Sequence, residues 1–254
     1  MARRGTIDQA IEAVRIAGGG DLWLAGRRLT RVPESIRQIQ HLPGVTGVNL
    51  SNNRIATVPE WIGELTGLTG LDLRQNNLTA LPDSIGDLTH LRHLDVSWNG
   101  LTALPDSIGN LTELNQLNLH CNKLAVLPDS IGNLTSLHRL NLGWNKRTVL
   151  PDSIGNLSNL TLLELTNNSL TGLPDTIGNL GNLVWLVLNL NQLEVLPDTI
   201  GDLTNLAELH LEHNRLTVLP TTIGNLTNLR RLDLRHNQIT APPEGLHEHC
   251  EVLL

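Results

Sequence analysis

A repeat of fixed length constrains this chain more than any other feature of its sequence. The pattern L-x-x-L-x-L-x-x-N-x-L recurs with a step of 23 residues. Its last apolar strand position falls at Leu50, Leu73, Val96, Leu119, Leu142, Leu165, Leu188, Leu211 and Leu234. A degenerate copy around Leu24 precedes them after a slightly longer spacer. A fixed period of this size predicts a solenoid, in which each repeat packs against its neighbours.

Each repeat divides into a strand half and a turn half. In "LNQLNLHCN" apolar and polar residues alternate, which predicts a strand with leucines facing inward and the intervening residues facing outward. Strands from successive repeats would stack in parallel at about 4.8 Å. The proline and glycine of "LPDSIGNL" disfavour a long helix and favour a turn or short 3-10 segment. We expect a ladder of buried amides that serves the turn backbone, formed by Asn53, Asn76, Asn99, Asn122, Asn145, Asn168, Asn191, Asn214 and Asn237.

These motifs resemble the leucine-rich repeat family, and in particular its 23-residue class. Nine copies keep both the spacing and the asparagine, over residues 21 to 241. Similar "LPDSIGNLTNL" repeats occur in bacterial and plant intracellular members. The resemblance implies an α/β solenoid curved like a horseshoe, with a parallel sheet on the concave face and short 3-10 or turn segments on the convex face. It also implies that the usual activity is to bind a partner on the concave face.

The two ends depart from the repeat, as solenoid ends must. Thr6 and Gln9 form a capping-box pattern, which predicts a helix over residues 6 to 17 that ends at three glycines. We therefore expect an N-terminal helical cap at residues 1–20, the solenoid at 21–241 and a C-terminal cap or tail at 242–254. The final Val252, Leu253 and Leu254 are expected to cover the last leucine layer.

Composition narrows the kinds of partner. The net charge is −7 and no basic tract is present, so a nucleic-acid partner is not expected. No segment is apolar for long enough to span a membrane, and the first twenty residues do not form a signal peptide. Cys121 and Cys250 lie far apart in a linear solenoid, so we expect them to be unpaired. Few cysteines and no cysteine-rich caps favour the cytoplasm.

Outward strand residues differ along the chain, and function must come from them because the fold is a scaffold. Near the C-terminal end, charge pairs are expected across neighbouring strands, namely Glu208 with Arg231, His210 with Asp233 and Glu212 with Arg235. One repeat earlier the outward residues become apolar, and such a cluster often marks a binding surface. This apolar patch comprises Leu162, Val184, Trp185, Val187 and Leu190.

The middle repeats carry polar and aromatic candidates. Gly143 lacks a side chain and would leave a notch between His120 and Thr166, with Trp98 and Trp144 at the rim. The predicted binding residues are, in full, Asp72, His93, Asp95, Trp98, His120, Arg139, Gly143, Trp144, Leu162, Glu164, Trp185, Val187, Leu190 and His210.

Two chemical alternatives begin from the same residues. Ser97, His120 and Asp95 could be drawn as a hydrolase triad, although triads are recognised by geometry and no nucleophile elbow is present. His93, Asp95 and His120, or the tail "HEHC", could be drawn as metal ligands, but tight ligand spacing is absent. Arg147 stands where other repeats have an apolar residue, and it either is tolerated there or lines the notch together with Lys146.

The sequence therefore predicts a non-enzymatic binding scaffold for a protein or peptide, with no cofactor and no metal, which uses the concave face between about Asp95 and His210. The alternative is a small-molecule-binding or catalytic protein centred on His93, Asp95, Ser97, His120 and Trp144. The sequence does not define the oligomeric state.

Overall fold

A computed structural model describes residues 6–42, 44–146, 149–241 and 245–254. Within these residues a single open sheet of eleven parallel strands runs in chain order from β1 to β11. The strands are β1 Gly20–Trp23, β2 Val45–Asn49, β3 Gly70–Asp72, β4 His93–Asp95, β5 Gln116–Asn118, β6 Arg139–Asn141, β7 Leu162–Glu164, β8 Trp185–Val187, β9 Glu208–His210, β10 Arg231–Asp233 and β11 Glu251–Leu253. The predicted solenoid, with its sheet on the concave face, is confirmed.

Short 3-10 helices return the chain from one strand to the next on the convex side. They are Glu34–His41, Glu60–Glu64, Asp83–Asp87, Asp106–Asn110, Asp129–Asn133, Asp152–Asn156, Asp175–Asn179, Asp198–Asp202 and Thr221–Asn225. From Glu60–Glu64 onward, each of these segments contains a glycine that has a packing role besides disfavouring a long helix. A Cβ on Gly109 would lie 2.6 Å from the carbonyl oxygen of Ser130, in the next repeat. Glycine therefore allows successive turns to stack at the spacing that the strands set.

The core is one continuous stack of leucine and isoleucine layers. In strands β4, β5 and β6 the middle residue is buried, and the residues on either side of it face outward. The asparagine ladder lies beside this core. Asn76 donates to the carbonyl oxygens of Leu50 and Leu73 at 3.0 Å each, and its Oδ1 accepts the N–H of Ile55 at 3.0 Å. Each such amide satisfies backbone groups that would otherwise be buried without partners.

An α-helix, α1 at Ile7–Ile16, lies before β1 at the N-terminal end of the stack. The predicted capping box is present, since Thr6 Oγ1 accepts the N–H of Gln9 and Gln9 Oε1 accepts the N–H of Thr6. Ile11 and Val14 are buried against the core. No helix within the described part of the chain is both long and apolar enough to cross a membrane.

At the C-terminal end, the tail extends the sheet. Strand β11 pairs in parallel with β10, and Val252 packs against the core, whereas Leu254 is exposed. The expectation that the final three residues cover the last layer is therefore correct for Val252 and wrong for Leu254. The reason is that β11 ends at Leu253, so Leu254 lies beyond the last paired residue.

Candidate functional site

A groove of about 430 Å³ lies across the N-terminal half of the sheet, over strands β1 to β5. It contains three carboxylates and one imidazole, and no lysine or arginine lines it. Its lining residues are Asp21, Trp23, Thr46, Gly47, Val48, Asn49, Thr69, Gly70, Leu71, Asp72, His93, Leu94, Asp95, Gln116 and Asn118. This acidic groove takes in Asp72, His93 and Asp95 from the predicted set, and its other residues were not predicted.

Two glycines open the floor of the acidic groove. Gly47 and Gly70 occupy the outward position that His93 and Gln116 fill in the next two strands. The Asp21 carboxylate occupies the space beside Gly47, and a Cβ on Gly47 would collide with that carboxylate. The space that a Cβ on Gly70 would fill is open. Trp23 stands 62% exposed at the end of the groove. The missing side chains at residues 47 and 70 create the depth that the flat strands further along lack.

The Asp72 carboxylate has lost much of its water inside this groove. Its Oδ1 accepts the N–H of Arg74 at 3.1 Å, and its Oδ2 accepts a hydrogen bond from Asn49 Nδ2 at 3.0 Å and lies 3.2 Å from Arg74 Nε. Burial nevertheless raises the pKa of Asp72 above its ordinary value, and the adjacent Asp95 also raises it, whereas the Arg74 charge lowers it. A further cation arriving in the groove would add to the effect of Arg74 and favour the charged carboxylate.

Outward carboxylates and amides at the ends of the strands also have a structural role. Asp72, Asp95 and Glu164 each accept the N–H of the residue two positions later, and so do Asn118 and Asn141. These side chains therefore cap the ends of their strands. Glu164, a predicted binding residue, makes its bond to the N–H of Thr166 at 2.7 Å.

The drawn hydrolase triad does not form. Ser97 is buried, and its Oγ donates to Asp95 Oδ1 at 2.6 Å. Among the hydrogen bonds of the described residues, none joins Ser97 to His120. A triad needs the serine bonded to the histidine, which acts as the base, and the aspartate bonded to the histidine rather than to the serine. The arrangement here fixes the hydroxyl in a strand cap.

His120 fills the notch that Gly143 was expected to leave open. Its Nδ1 lies 3.1 Å from the place that a Cβ on Gly143 would occupy, and its ring makes an edge contact with Trp98 at 5.7 Å between ring centroids. Trp98 and Trp144 remain about half exposed on the rim, on either side of the half-buried Cys121. Arg147, the second predicted cation of the notch, lies outside the described residues, whereas Lys146 is described and exposed.

The turn that carries these tryptophans has an uncommon backbone. Trp98, Cys121, Trp144 and Leu190 all have φ near +55°, the left-handed region. Bulky residues are disfavoured there, by about 1–2 kcal/mol each, whereas asparagine, found at Asn52 and Asn167, is tolerated better. Large apolar side chains at this position therefore carry a conformational strain, and their partial exposure to water does not offset it.

The apolar patch is assembled as predicted. Leu162 pairs with Trp185 and Glu164 with Val187 in adjacent strands, and Leu190 follows in the next turn. Trp185 and Leu190 are about 40% exposed. Trp185 also lies opposite Glu208 in the adjacent strand β9. Arg139 is exposed in β6, beside Leu162.

The C-terminal charges pair differently from the expectation. Glu208 binds His210 along its own strand at 2.9 Å, and Asp233 binds Arg235 along its own strand at 2.7 Å. Of the expected cross-strand pairs, Glu212 with Arg235 forms at 3.6 Å. The other two pairs, Glu208 with Arg231 and His210 with Asp233, lie directly across neighbouring strands as expected. The shortest contacts of Glu208 and Asp233 are nevertheless with the residue two positions later, because side chains two residues apart on a strand share one face.

Within the described ranges, one group of three potential metal ligands lies close together. It differs from both groups that the sequence suggested. It comprises Glu212, His213 and His236. The residue before the ladder asparagine is histidine in these two consecutive repeats, "EHN" and "RHN", and this was the signal available in the sequence.

Comparisons with known proteins agree with this architecture. A family model described as a leucine-rich repeat region matches residues 31–123, 83–165 and 152–248. A leucine-rich repeat protein of Leptospira interrogans has a solved structure with TM-score 0.71 and 33% identity, over 99% of this chain and 75% of that one. Among curated protein sequences, no significant match was found.

Two receptor structures from Arabidopsis are also similar. The complex of the receptor kinase HAESA with the peptide hormone IDA and a co-receptor matches with TM-score 0.76 and 31% identity, over 91% of this chain. The ectodomain of GASSHO1/SCHENGEN3 with Casparian strip integrity factor 2 matches with TM-score 0.65 and 28% identity, over 88% of this chain. The chain spans 40% and 33% of the matched chains in these two structures. By the extent of the family match and the likeness to the Leptospira protein, the chain belongs to the leucine-rich repeat family.

Proposed function

We propose that this chain is a non-enzymatic scaffold that binds a protein or peptide partner along the concave face, and that the acidic groove receives a basic side chain of that partner. The observation that carries the proposal is the groove itself, with an open floor at Gly70, three aspartates and no lysine or arginine in its lining. A lysine or arginine entering it would meet Asp72, whose pKa burial has raised, and Asp95 in the next strand.

Two further observations support a polypeptide partner. Trp23 stands exposed at the groove, and Trp98 and Trp144 stand exposed on the rim, which suits contact along an extended chain. Among the similar solved structures, the receptor kinase HAESA is bound to the peptide hormone IDA. Catalysis gains no support, because Ser97 is buried in its bond to Asp95.

A randomised peptide library displayed on phage tests the proposal. We expect selection on the intact chain to enrich peptides that contain lysine or arginine. Titration calorimetry of a selected peptide should show binding weakened by at least about tenfold, or about 1.4 kcal/mol, in the double variant Asp72→Asn/Asp95→Asn. Each asparagine keeps an oxygen acceptor for the strand cap, so the variant removes charge with little change in shape.

The matched control is Asp83→Asn/Asp106→Asn. It changes the net charge equally but on the convex 3-10 helices, where both carboxylates are exposed. Binding by this control should equal that of the parent chain. Selection without basic residues, or equal weakening in both double variants, would contradict a specific acidic groove.

A further inference from the structure

Two histidines from consecutive repeats stack on the rim near the C-terminal end. The rings of His213 and His236 lie 4.1 Å apart between centroids and within 8° of parallel. Both residues occupy the left-handed turn position, with φ of 56° and 57°, and the N–H of His213 donates to the carbonyl oxygen of Arg235 at 3.0 Å. The repeat therefore places equivalent imidazoles side by side and links their backbones.

A carboxylate completes the cluster. Glu212 Oε1 lies 3.7 Å from His213 Nε2, and one ligand atom from each of Glu212, His213 and His236 lies within 4.8 Å of the other two. Arg235 is the neighbouring cation, with its Nη2 3.6 Å from Glu212. Its short bonds, at 2.7 and 2.9 Å, go to Asp233. The Glu212 carboxylate thus keeps a face toward the two imidazoles.

We propose that Glu212, His213 and His236 bind a divalent transition-metal ion of the zinc class. Zinc binds imidazole nitrogen at about 2.0–2.1 Å in tetrahedral geometry, which requires donor atoms about 3.4 Å apart. The donor nitrogens point along the ring planes, so the two parallel rings must turn out of their stack to face one ion, and the exposure of both histidines allows this without disturbing the core. Two imidazoles and one carboxylate suit Zn²⁺ better than Mg²⁺, and three protein ligands leave a fourth position for water.

The tail offers the competing histidine pair. The rings of His247 and His249 lie 5.0 Å apart and are tilted by 44°, beside Cys250 and Glu248. These residues do not bring three ligand atoms together as the rim cluster does, within the parts of the chain that the structure describes. The tail pair therefore serves as an internal comparison.

Zinc chloride titrated into the full chain, prepared without a histidine tag, tests the proposal by calorimetry. We expect one ion per chain. His213→Asn and His236→Asn should each weaken binding by at least about tenfold, because each removes a ligand. Asparagine occurs at the same turn position at Asn52 and Asn167, so these variants should fold. His247→Asn is the matched control and should bind zinc as the parent does.

A second readout is the melting temperature, which Zn²⁺ should raise in the parent and in His247→Asn, but not in His213→Asn. Glu212→Gln gives a variant that leaves both rings intact and should also weaken binding. Absence of zinc binding by the parent, or binding lost with His247→Asn and kept with His213→Asn, would overturn the proposal. The charge variants of the acidic groove should bind zinc normally, so the two proposals fail separately.

Discussion

Asn122 Oδ1 accepts the backbone N–H of Leu101 at 3.0 Å, so a side chain of one repeat completes the hydrogen bonding of the repeat before it. The same amide donates to the carbonyl oxygens of Val96 and Leu119 at 3.0 Å each. Asn122 therefore contacts three backbone groups in two repeats, and the two carbonyls are each shared with a neighbouring ladder asparagine, Asn99 or Asn145. The ladder joins neighbouring repeats as well as closing the turn within each.

Replacing Asn122 by leucine should destabilise the chain strongly. Only the Leu101 N–H would be left buried without a partner, because the carbonyl oxygens of Val96 and Leu119 keep the amides of Asn99 and Asn145. One such unpaired group costs about 1–3 kcal/mol, and we expect a loss of that size. Urea denaturation measures it. Asn115→Leu is the control, since among the described residues the Asn115 side chain bonds to the exposed His138 ring alone, at 3.0 Å. Equal losses in the two variants would refute the role assigned to the ladder.

The backbone of this fold could be predicted from the sequence because a fixed period encodes it. Leucine spacing, the ladder asparagines and the Thr6–Gln9 capping box each specify local geometry that the stacked neighbours reinforce. Asp72 and Asp95, which stand 23 residues apart, lie side by side because the parallel register follows from the period.

Side-chain placement on the outer face could be predicted only in part. The period assigns a residue to the face but does not choose its rotamer or its partner. Asp233 therefore bonds along its own strand, and the His120 ring moves over Gly143. The sequence did not predict the acidic groove because Asp21 and Trp23 belong to the degenerate first repeat, whose longer spacer conceals their alignment with Gly47 and Asn49.

Asp233→Asn should destabilise the chain at neutral pH. Hydrogen bonds from Arg235 hold the pKa of Asp233 below its ordinary value, against the effect of burial. A lowered folded pKa gives stability that is present above the unfolded pKa, about 3.9, and is lost as the pH falls through the folded pKa. We expect a loss of about 1–3 kcal/mol at pH 7, shrinking in acid. Urea denaturation at several pH values checks this, with the exposed Asp202→Asn as control.

Both cysteine thiols should be free and slow to react in the folded chain. Burial raises the pKa of Cys121 and of Cys250, and for Cys250 the adjacent Glu251 adds to the effect. Because the thiolate is the reactive form, a disulfide reagent should modify the folded chain at least about tenfold more slowly than the unfolded chain. Cys121→Ser and Cys250→Ser assign the two rates. Finding fewer than two thiols in unreduced, denatured protein would contradict the unpaired state.

Asp72→Asn should have the opposite effect on stability from Asp233→Asn. The folded pKa of Asp72 is raised, chiefly by burial, so the folded state binds more protons than the unfolded state between about 3.9 and that raised value. Stability contributed by Asp72 therefore falls as the pH rises through this window and stays low above it. The asparagine variant carries no such penalty and keeps an acceptor for the N–H of Arg74.

We expect Asp72→Asn to be more stable than the parent at pH 7, and the difference to narrow as the pH is lowered toward 4. Urea denaturation of both proteins across that range measures it, and Asp83→Asn corrects for the change in net charge. Lower stability of Asp72→Asn at pH 7 would mean that the hydrogen bond from Asn49 and the ion pair with Arg74 together outweigh the cost of burying the charge.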